Sequence, residues 1–559
     1  MRGPTRPTDW DNGQQPFYIL TVNWGGRAYR FSTYPITLTS TEHTGGLLFN
    51  GGLDDPDLTE EADRHSTSAG GISVPVSVVF PGVNVAEQIA AKHFLSAATA
   101  EIAMITVDTQ GDPVQSYDDR WVLISGRIVQ PVYGWPGQPG RADFSIEQPA
   151  PEDVTTLISD QSKITAITWP DADEGILGRV YPTIIGSPGS YFYPMDEAAN
   201  INKIAYVQGS PAYKIKTVHR VSVFLLIAGH PVIASHVQVY DDSGNTAKVP
   251  VINQQDGLGR SVAVVDINGS GLTTTDTKFF CDWRYGGGLA NVAGDGALTA
   301  LGDVCIWAFT KGTQGVDIAK WVAERPALNR VLIDCYINDP QIRPWEWVRS
   351  NLLELLPIAI RNGNSGVFPR VRLFGMRGTI DTVASITEGP TFTAVGPITT
   401  QTELGDIRNT ISLRYAPNAT ESMDYRRAVT ISSDPGEDTI TTTKAFTKDP
   451  NEYSSAYSVF SQSRYGLRAE TLESKVIYDT ASAGLILTER LRAKGFMERT
   501  QPFTCATHWG WLAVGDFISL TSSETGMSNA VAEITSKTFT GSGWDLVLTY
   551  DDDPLMGGS

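Results

Sequence analysis

The chain is short of the features that mark several functional classes. Only four cysteines occur in 559 residues, Cys281, Cys305, Cys335 and Cys505, and no two stand close enough to form a CxxC pair. That spacing gives neither a dense disulfide framework nor a zinc or iron–sulfur signature, so free, buried thiols made in a reducing compartment are expected. Long apolar runs are equally scarce. The opening MRGPTRPTDWDNGQQPFYIL lacks the apolar core of about 7–15 residues that a secretory signal needs, and export by that route is not expected. The passage VSVFLLIAGHPVIASHVQVY from Val221 is long enough to span a membrane, but His230, Pro231, Ser235 and His236 interrupt it. Its β-branched content reads as two buried strands, and no membrane-spanning segment is expected. Positive charge is in deficit too, with 43 Lys and Arg against 62 Asp and Glu and a net charge of −19. A surface built to grip nucleic-acid phosphates needs the opposite balance.

Motifs with a chemical mechanism are missing as well. There is no phosphate cradle of the form GxxxxGKS or GxxxxGKT, no GxSxG elbow, no HExxH, and no GxGxxG following a strand. The nearest approach to a metal loop is DINGSGLTTTD, with Asp266, Asn268 and Ser270 at alternate positions and Gly271 after them. Its closing position falls on Thr277, which has no carboxylate to offer, so a turn ending a strand is expected. His43, His65, His93, His219, His230, His236 and His508 show no nucleophile spacing, and Asp551, Asp552 and Asp553 read as a solvated run. The sequence nominates no catalytic residue, no cofactor-binding residue and no metal ligand; no cofactor and no enzymatic activity are expected.

What is present is a folded, mainly β chain. Apolar residues make up 41% beside 53 glycines, the range of a globular protein, and the length suits three to five domains of roughly 100–200 residues. Strand-like runs separated by Gly, Pro, Asn and Asp include ISVPVSVVF from Ile72, WVLISGRIVQPVY from Trp121, HVQVY and TAKVPVI around the turn at residues 241–245, and SVAVVDI from Ser261. Helical periodicity is confined to the segments beginning at Val85, Glu152, Val316, Pro344 and Asp479. In the fourth, Pro344 suits a first helical position, with Trp347, Leu352, Leu355 and Leu356 on one side. In the fifth, Asp479 can cap, Leu485, Leu487 and Leu491 form the stripe, and Gly495 ends it.

The helices from Val85 and Asp479 each precede an antiparallel meander, which suggests two related β-domains. The expected fold is therefore a multi-domain chain of small β-barrels each carrying a helix, plus inserted β and α+β domains. The expected divisions are a tube-like barrel domain at 1–165, an inserted β-domain at 166–310, an α+β domain at 311–405 and a second tube-like barrel domain at 406–559. The polar stretch from Ser432 is expected to be an exposed loop or strand pair.

The C-terminal third carries the most specific pattern. It runs from RNTISLRYAP through SVFSQSRYGLRAETLE and VIYDTASAGLILTERLRAKGF to WGWLAVGDFISLTSS. In this order stand Asn409, Ile411, Leu413 and Tyr415; Tyr465, Gly466 and Glu470; Ala481 and Ala483; and Gly515 and Asp516. The series resembles the baseplate hub and tail-tip hub proteins of tailed, siphophage-like phages. GRVYPTIIG, from Gly178 to Gly186, resembles a strand recurring in that family, and WGGRAYRFSTYPIT with GRIVQPVYG resembles its first barrel domain.

The resemblance implies a structural virion protein that joins the tail tube or distal ring to the tip and forms part of the DNA-ejection conduit. Its implied partners are further copies of itself in a homotrimer, the distal tail protein, tail-tip or fibre proteins and the tape measure protein, with genomic DNA touched only in transit. Three copies follow because three chains with two tube-like domains match a six-fold tube. The implied location is the tail tip or baseplate of a virion, after synthesis in the host cytoplasm. The acidic balance fits such a conduit, whose wall should not retain phosphate. The alternative is a tail-associated cell-envelope hydrolase or carbohydrate-binding module, in which Trp24, Trp135, Trp283, Trp345, Trp509 and Trp511 could stack on sugars. Gly515 and Asp516 are expected to form a tight turn leading into a strand, the glycine taking positive φ and the aspartate bonding the amides that follow it.

Overall fold

The computed structural model describes residues 14–54, 59–61, 72–148, 150–159, 161–189, 209–218, 222–275, 278–292, 296–363, 366–371, 382–417, 425–432, 447–448, 453–454, 456–523, 525–540 and 543–551. The fold is mainly β and multi-domain, as expected. An N-terminal antiparallel sheet has the order Arg27–Ser32, Gln15–Trp24, Thr99–Val107, Trp121–Trp135, Gln138–Gln148, Ile72–Val79. A C-terminal sheet runs Ala384–Thr387, Phe517–Ser522, Met527–Phe539, Gly543–Asp551, Glu498–Ala506, Phe392–Ala394. One apolar face of each meets the other in a single core, in which Tyr18, Leu20, Val22 and Phe144 from the first sheet lie with Phe503, Ile518, Ile534 and Leu548 from the second. On the other face of the first sheet Phe17, Ile19 and Ile105 pack with Ile36, Leu38 and Phe49. Thr59–Glu61 crosses from the N-terminal part to pair with Met527–Phe539.

Between them in sequence lies a closed six-stranded barrel: Ser210–Val218, Ser222–Ala228, Ser261–Asp266, Thr246–Gln255, His236–Asp241, Phe279–Asp282. The long apolar passage is resolved into two of these strands, with Leu225, Ile227, Val237 and Val239 fully buried. No helix among the described residues is long and apolar enough to cross a membrane. A helical body forms the third core. It contains α2 (Leu301–Phe309), α3 (Ile318–Leu328), α4 (Pro344–Asn351), α5 (Ala456–Tyr465) and α6 (Thr480–Lys494); α1 (Val85–Ala90) belongs to the N-terminal sheet. These helices pack with the strand Thr410–Pro417, which is antiparallel to Tyr425–Ser432 and parallel to Ala469–Glu473.

Several local expectations meet tertiary constraints. The helix from Val85 stops at Ala90, because Thr99–Val107 is drawn into the centre of a sheet, hydrogen-bonded on both sides. No helix forms at Glu152. Glu152–Asp153 pairs with Thr313–Gln314, and the Asp153 carboxylate accepts the Trp345 N–H at 3.0 Å at the start of α4. α6 has the expected caps, Asp479 accepting the Ser482 N–H at 2.8 Å and Gly495 closing the helix. Its apolar residues Ala483, Ile486, Leu487 and Leu491 nevertheless pack with Ile411, Leu413 and Tyr415 in the helical body, rather than on the meander that follows it. α2 and α5 carried no helical signal in the sequence. Of the polar stretch from Ser432, residues 433–446 lie outside the described residues, as do the opening 13.

Candidate functional site

Several of the residues that carry the resemblance gather round the lead-in to Thr410–Pro417, whereas Ala481 is exposed on α6. Asn409 is fully buried there. Its Oδ1 accepts the Arg468 N–H at 2.8 Å, and its Nδ2 donates to Gly466 O at 2.9 Å and to Ser461 Oγ at 3.1 Å. Its main-chain N–H donates to Arg468 O at 2.9 Å, and Ser458 Oγ–H donates to its carbonyl. Gly466 ends α5 at φ +72°, a conformation open to glycine at little cost. Ile411, Leu413 and Tyr415 point into the helical body, and Tyr415 OH lies 3.0 Å from Thr480 Oγ1 at the start of α6. Glu470 is clamped by Arg490 through two 2.8 Å bonds. Burial pushes that carboxyl up, but Arg490, with help from Lys494 and Arg408, outweighs it and holds Glu470 below its ordinary pKa. Asn409, Tyr415, Gly466, Glu470 and Ala483 thus form one packed, hydrogen-bonded node.

Gly515 and Asp516 sit at a second junction. Gly515 has φ +88°, as expected of the turn. The Asp516 carboxylate accepts the N–H of Ala513, at 2.9 Å, so the amide it holds lies before it in the chain. Across the turn stands the hairpin Ile358–Gly363 and Gly366–Val371 of the helical body. Arg370 Nε donates to Gly515 O at 3.1 Å, with its guanidinium 3.9 Å from Asp516, while Arg361 pairs at 3.2 Å with the fully buried Glu533. Gly515→Val forces a β-branched residue into the left-handed region and should cost about 1–3 kcal/mol. Asp516→Asn keeps an oxygen for the Ala513 N–H and should cost less than about 1 kcal/mol. Thermal unfolding and soluble yield should rank the valine variant well below the asparagine variant; the reverse order contradicts this account.

GRVYPTIIG is a third junction, bracketed by Gly178 at φ +85° and Gly186 at φ +63°. Tyr181 OH donates to Asp256 at 3.0 Å and accepts the Trp169 indole N–H at 2.9 Å. Burial raises the phenol's pKa, which keeps it a donor. At Gly186 an added Cβ would lie 2.5 Å from Ile333 O and 2.1 Å from an Asp334 oxygen. Asp334 accepts the Ser187 N–H at 2.6 Å, and burial pushes its carboxyl up to about 6 despite that bond, with the neighbouring Asp479 adding to the rise.

None of these clusters places a nucleophile beside a base. The four cysteines are free and buried, and burial pushes Cys505 up to about 12 and the other three higher still, so their thiolates are scarce. His236 Nδ1 lies 3.1 Å from Ser235 Oγ, a contact between chain neighbours at the barrel surface. Asp266 accepts the Asn268 N–H at 2.9 Å and Ser270 Oγ–H bonds Ile267 O at 2.6 Å, the geometry of a turn ending Ser261–Asp266, while Thr277 lies outside the described residues. Among the described residues no three His, Cys, Asp or Glu side chains gather as a metal would require. Of the six tryptophans named above, Trp24 and Trp283 are buried and only Trp135 is exposed, lying 5.0 Å from Arg141. Sequence reasoning missed the Arg361–Glu533 pair and the buried Lys537, whose Nζ donates to Gly510 O at 2.6 Å and Leu512 O at 2.7 Å. No local spacing announces partners this distant.

No protein-family model matches the chain, and no curated protein matches it. Among solved structures it is similar to the tail protein from Neisseria meningitidis MC58, at 9% identity and a TM-score of 0.34, covering 96% of this chain and 98% of that one. It is similar also to the 43 kDa tail protein of prophage MuSo2 from Shewanella oneidensis, at 9% identity and a TM-score of 0.31, covering 95% and 98%. A chain from the virion of a native gene transfer agent particle shares 14% identity with a TM-score of 0.38, covering 73% of this chain and 91% of that chain.

Proposed function

We propose that the chain is a structural virion protein, the hub of a tail baseplate, joining the tail tube or distal ring to the tip and lining part of the DNA-ejection path. The observation that carries this reading is the Asn409 node. The ordered motif that resembles hub proteins is used here to lock a strand, two helices and a turn together, with every polar atom of the Asn409 side chain committed to the protein itself. A side chain spent on its own scaffold is bonded in this way; one that acts on a substrate would be presented to a cleft. The N-terminal antiparallel sheet and the C-terminal sheet, which is antiparallel except where Ala384–Thr387 joins it parallel, supply the tube-like units of the proposal. The proposed divisions are 1–165, 166–310, 311–405 and 406–559, the second sheet drawing edge strands from outside the last of them. The proposed assembly is a homotrimer located at the tail tip and made in the host cytoplasm. It would contact the distal tail protein, tip or fibre proteins and the tape measure, with DNA only passing through.

The test is a reconstruction of the tail that carries this chain, with the chain identified by its side-chain density. Three copies in one closed ring at the distal end of the tube are expected, each contributing two sheets to the wall. Six copies per ring, or one copy on the outside, would overturn the proposal.

A further inference from the structure

The imidazole of His230 occupies the place a neighbouring strand would take. The strand Thr183–Ile185 pairs on one side with Cys335–Ile337, Ile184 standing opposite Tyr336. On the other side the Ile184 N–H donates to His230 Nε2 at 2.9 Å, and the Ile184 carbonyl accepts the Leu289 N–H at 2.9 Å. His230 Nδ1 lies 2.8 Å from the Pro231 carbonyl. An amide N–H can only donate and a carbonyl can only accept, so both contacts together require a neutral ring with its proton on Nδ1.

His230 lies on the link between the barrel strands Ser222–Ala228 and His236–Asp241. The same link sends the Gly229 N–H to Pro182 O at 2.8 Å, and the N–H groups of Ile233 and Ala234 to Gly288 O and Gly287 O at 3.2 and 3.1 Å. Together these bonds tie the barrel to the helical body through Thr183–Ile185. The joint is tightly fitted: a Cβ on Gly229 would lie 2.5 Å from Tyr181 Cβ, and one on Gly288 would lie 2.2 Å from Ile184 O. The backbones on the two sides of the joint are thus held in close contact.

We propose that this joint is an acid-sensitive release between the barrel and the helical body, with His230 as the group that opens it. A protonated Nε2 would face the Ile184 N–H, donor against donor, so protonation and the closed joint exclude each other. Burial lowers the pKa of His230 to about 4, the Pro231 carbonyl working against the shift and Lys311, in the turn after α2, working with it. A histidine depressed in this way adds stability above its ordinary value near 6.5, and loses it as the pH falls from there towards 4. The other titratable or charged groups around the joint are Tyr181 ahead of Thr183–Ile185, Tyr336 on the facing strand, Asp334 beside Gly186, and Asp282, Arg284 and Tyr285 leading into the 286–290 loop. Tyr181 and Tyr336 are raised by burial, and Arg284, whose burial is outweighed by its Asp282 partner, is raised as well, so none of the three changes charge in this window. Asp334 and Asp282, both pushed up by burial, titrate in it with the opposite sign: their contribution is greatest at low pH and is lost as the pH rises. An acid opening therefore points to His230.

Hydrogen exchange of the intact chain, corrected for the intrinsic pH dependence, tests this. Between about pH 7.5 and about pH 5, protection of the Ile184 amide should fall, by up to the roughly thirty-fold that His230 alone supplies and less where Asp334 and Asp282 offset it, while the barrel strands Ser222–Ala228 and Ser261–Asp266 keep theirs. In His230→Gln, which cannot titrate, this fall should disappear, protection staying level or rising towards about pH 5 as Asp334 and Asp282 take up protons. Unchanged protection in the wild type overturns the proposal whatever the variant does. An equal fall in the variant assigns the opening to another group and overturns it too.

Discussion

Asn409→Leu is expected to destabilise the folded chain by about 2–4 kcal/mol, because it removes three hydrogen bonds made by one fully buried side chain and leaves the buried Ser461 short of a donor. The Arg468 N–H loses its acceptor, and Gly466 O and Ser461 Oγ lose their donor; Asn409 and Ser461 are fully buried, Arg468 is half-buried and Gly466 is exposed. Ser461 has no alternative, since its own proton is committed to Gly495 O at the end of α6. The isosteric Asn409→Asp separates hydrogen bonding from packing. One carboxylate oxygen still accepts from Arg468, but the other faces two acceptors, and burial opposes the charge as well. Its pKa should therefore be raised in the folded state, so the stability of this variant is greatest at acid pH and falls as the pH rises past the ordinary carboxylate range. Urea unfolding at about pH 5 and about pH 7.5 should show Asn409→Asp closer to wild type at the lower value and Asn409→Leu far below it at both. An aspartate variant as stable as wild type at neutral pH would mean that the node is not closed.

That Asn409 could be singled out from sequence, while its role could not, shows where legibility ended. Strands with a local signature were readable: Ile72–Val79, Trp121–Trp135 and Phe517–Ser522 alternate or run apolar between turn residues, and the structure forms them. The caps of α6 and the positive φ of Gly515 were readable for the same reason, each being decided within four residues. α2 was hidden because LGDVCIWAF is apolar nearly all round, burying seven of its nine residues, and such a run has no amphipathic period to detect. The early stop of α1 depended on pairing with Gln15–Trp24, far away in sequence. The largest omission was the arrangement of the cores. Two meanders some 400 residues apart share one apolar interior, and the helix preceding the second belongs to another core. Periodicity reports which face is apolar but not what covers it.

The second large effect is expected where these cores meet. Arg361 and Glu533 are 172 residues apart, and the pair joins the helical body to the middle of the C-terminal sheet. The hairpin that carries Arg361 is anchored on its other side, where Trp321 Nε1 of α3 donates to Val367 O at 3.2 Å and Lys320 lies 4.0 Å from the Phe368 ring centre. Glu533→Ala leaves a guanidinium in a site that excludes water, and should cost about 3–5 kcal/mol. Replacing both partners together, as Arg361→Met with Glu533→Leu, removes the charge along with the need for a partner and should recover most of that loss. The Arg370 contacts with Gly515 and Asp516 would remain as a polar link between the hairpin and the turn that leads into the C-terminal sheet. Because Ile386, Phe503 and Leu548 keep their own apolar core, the single loss of Glu533 should weaken the coupling between cores more than either core itself. Calorimetry should accordingly show the Glu533→Ala transition broadened or split, and the double variant returning towards one cooperative transition. A sharp single transition at the wild-type midpoint for Glu533→Ala would mean that the two cores are held together by apolar contact alone.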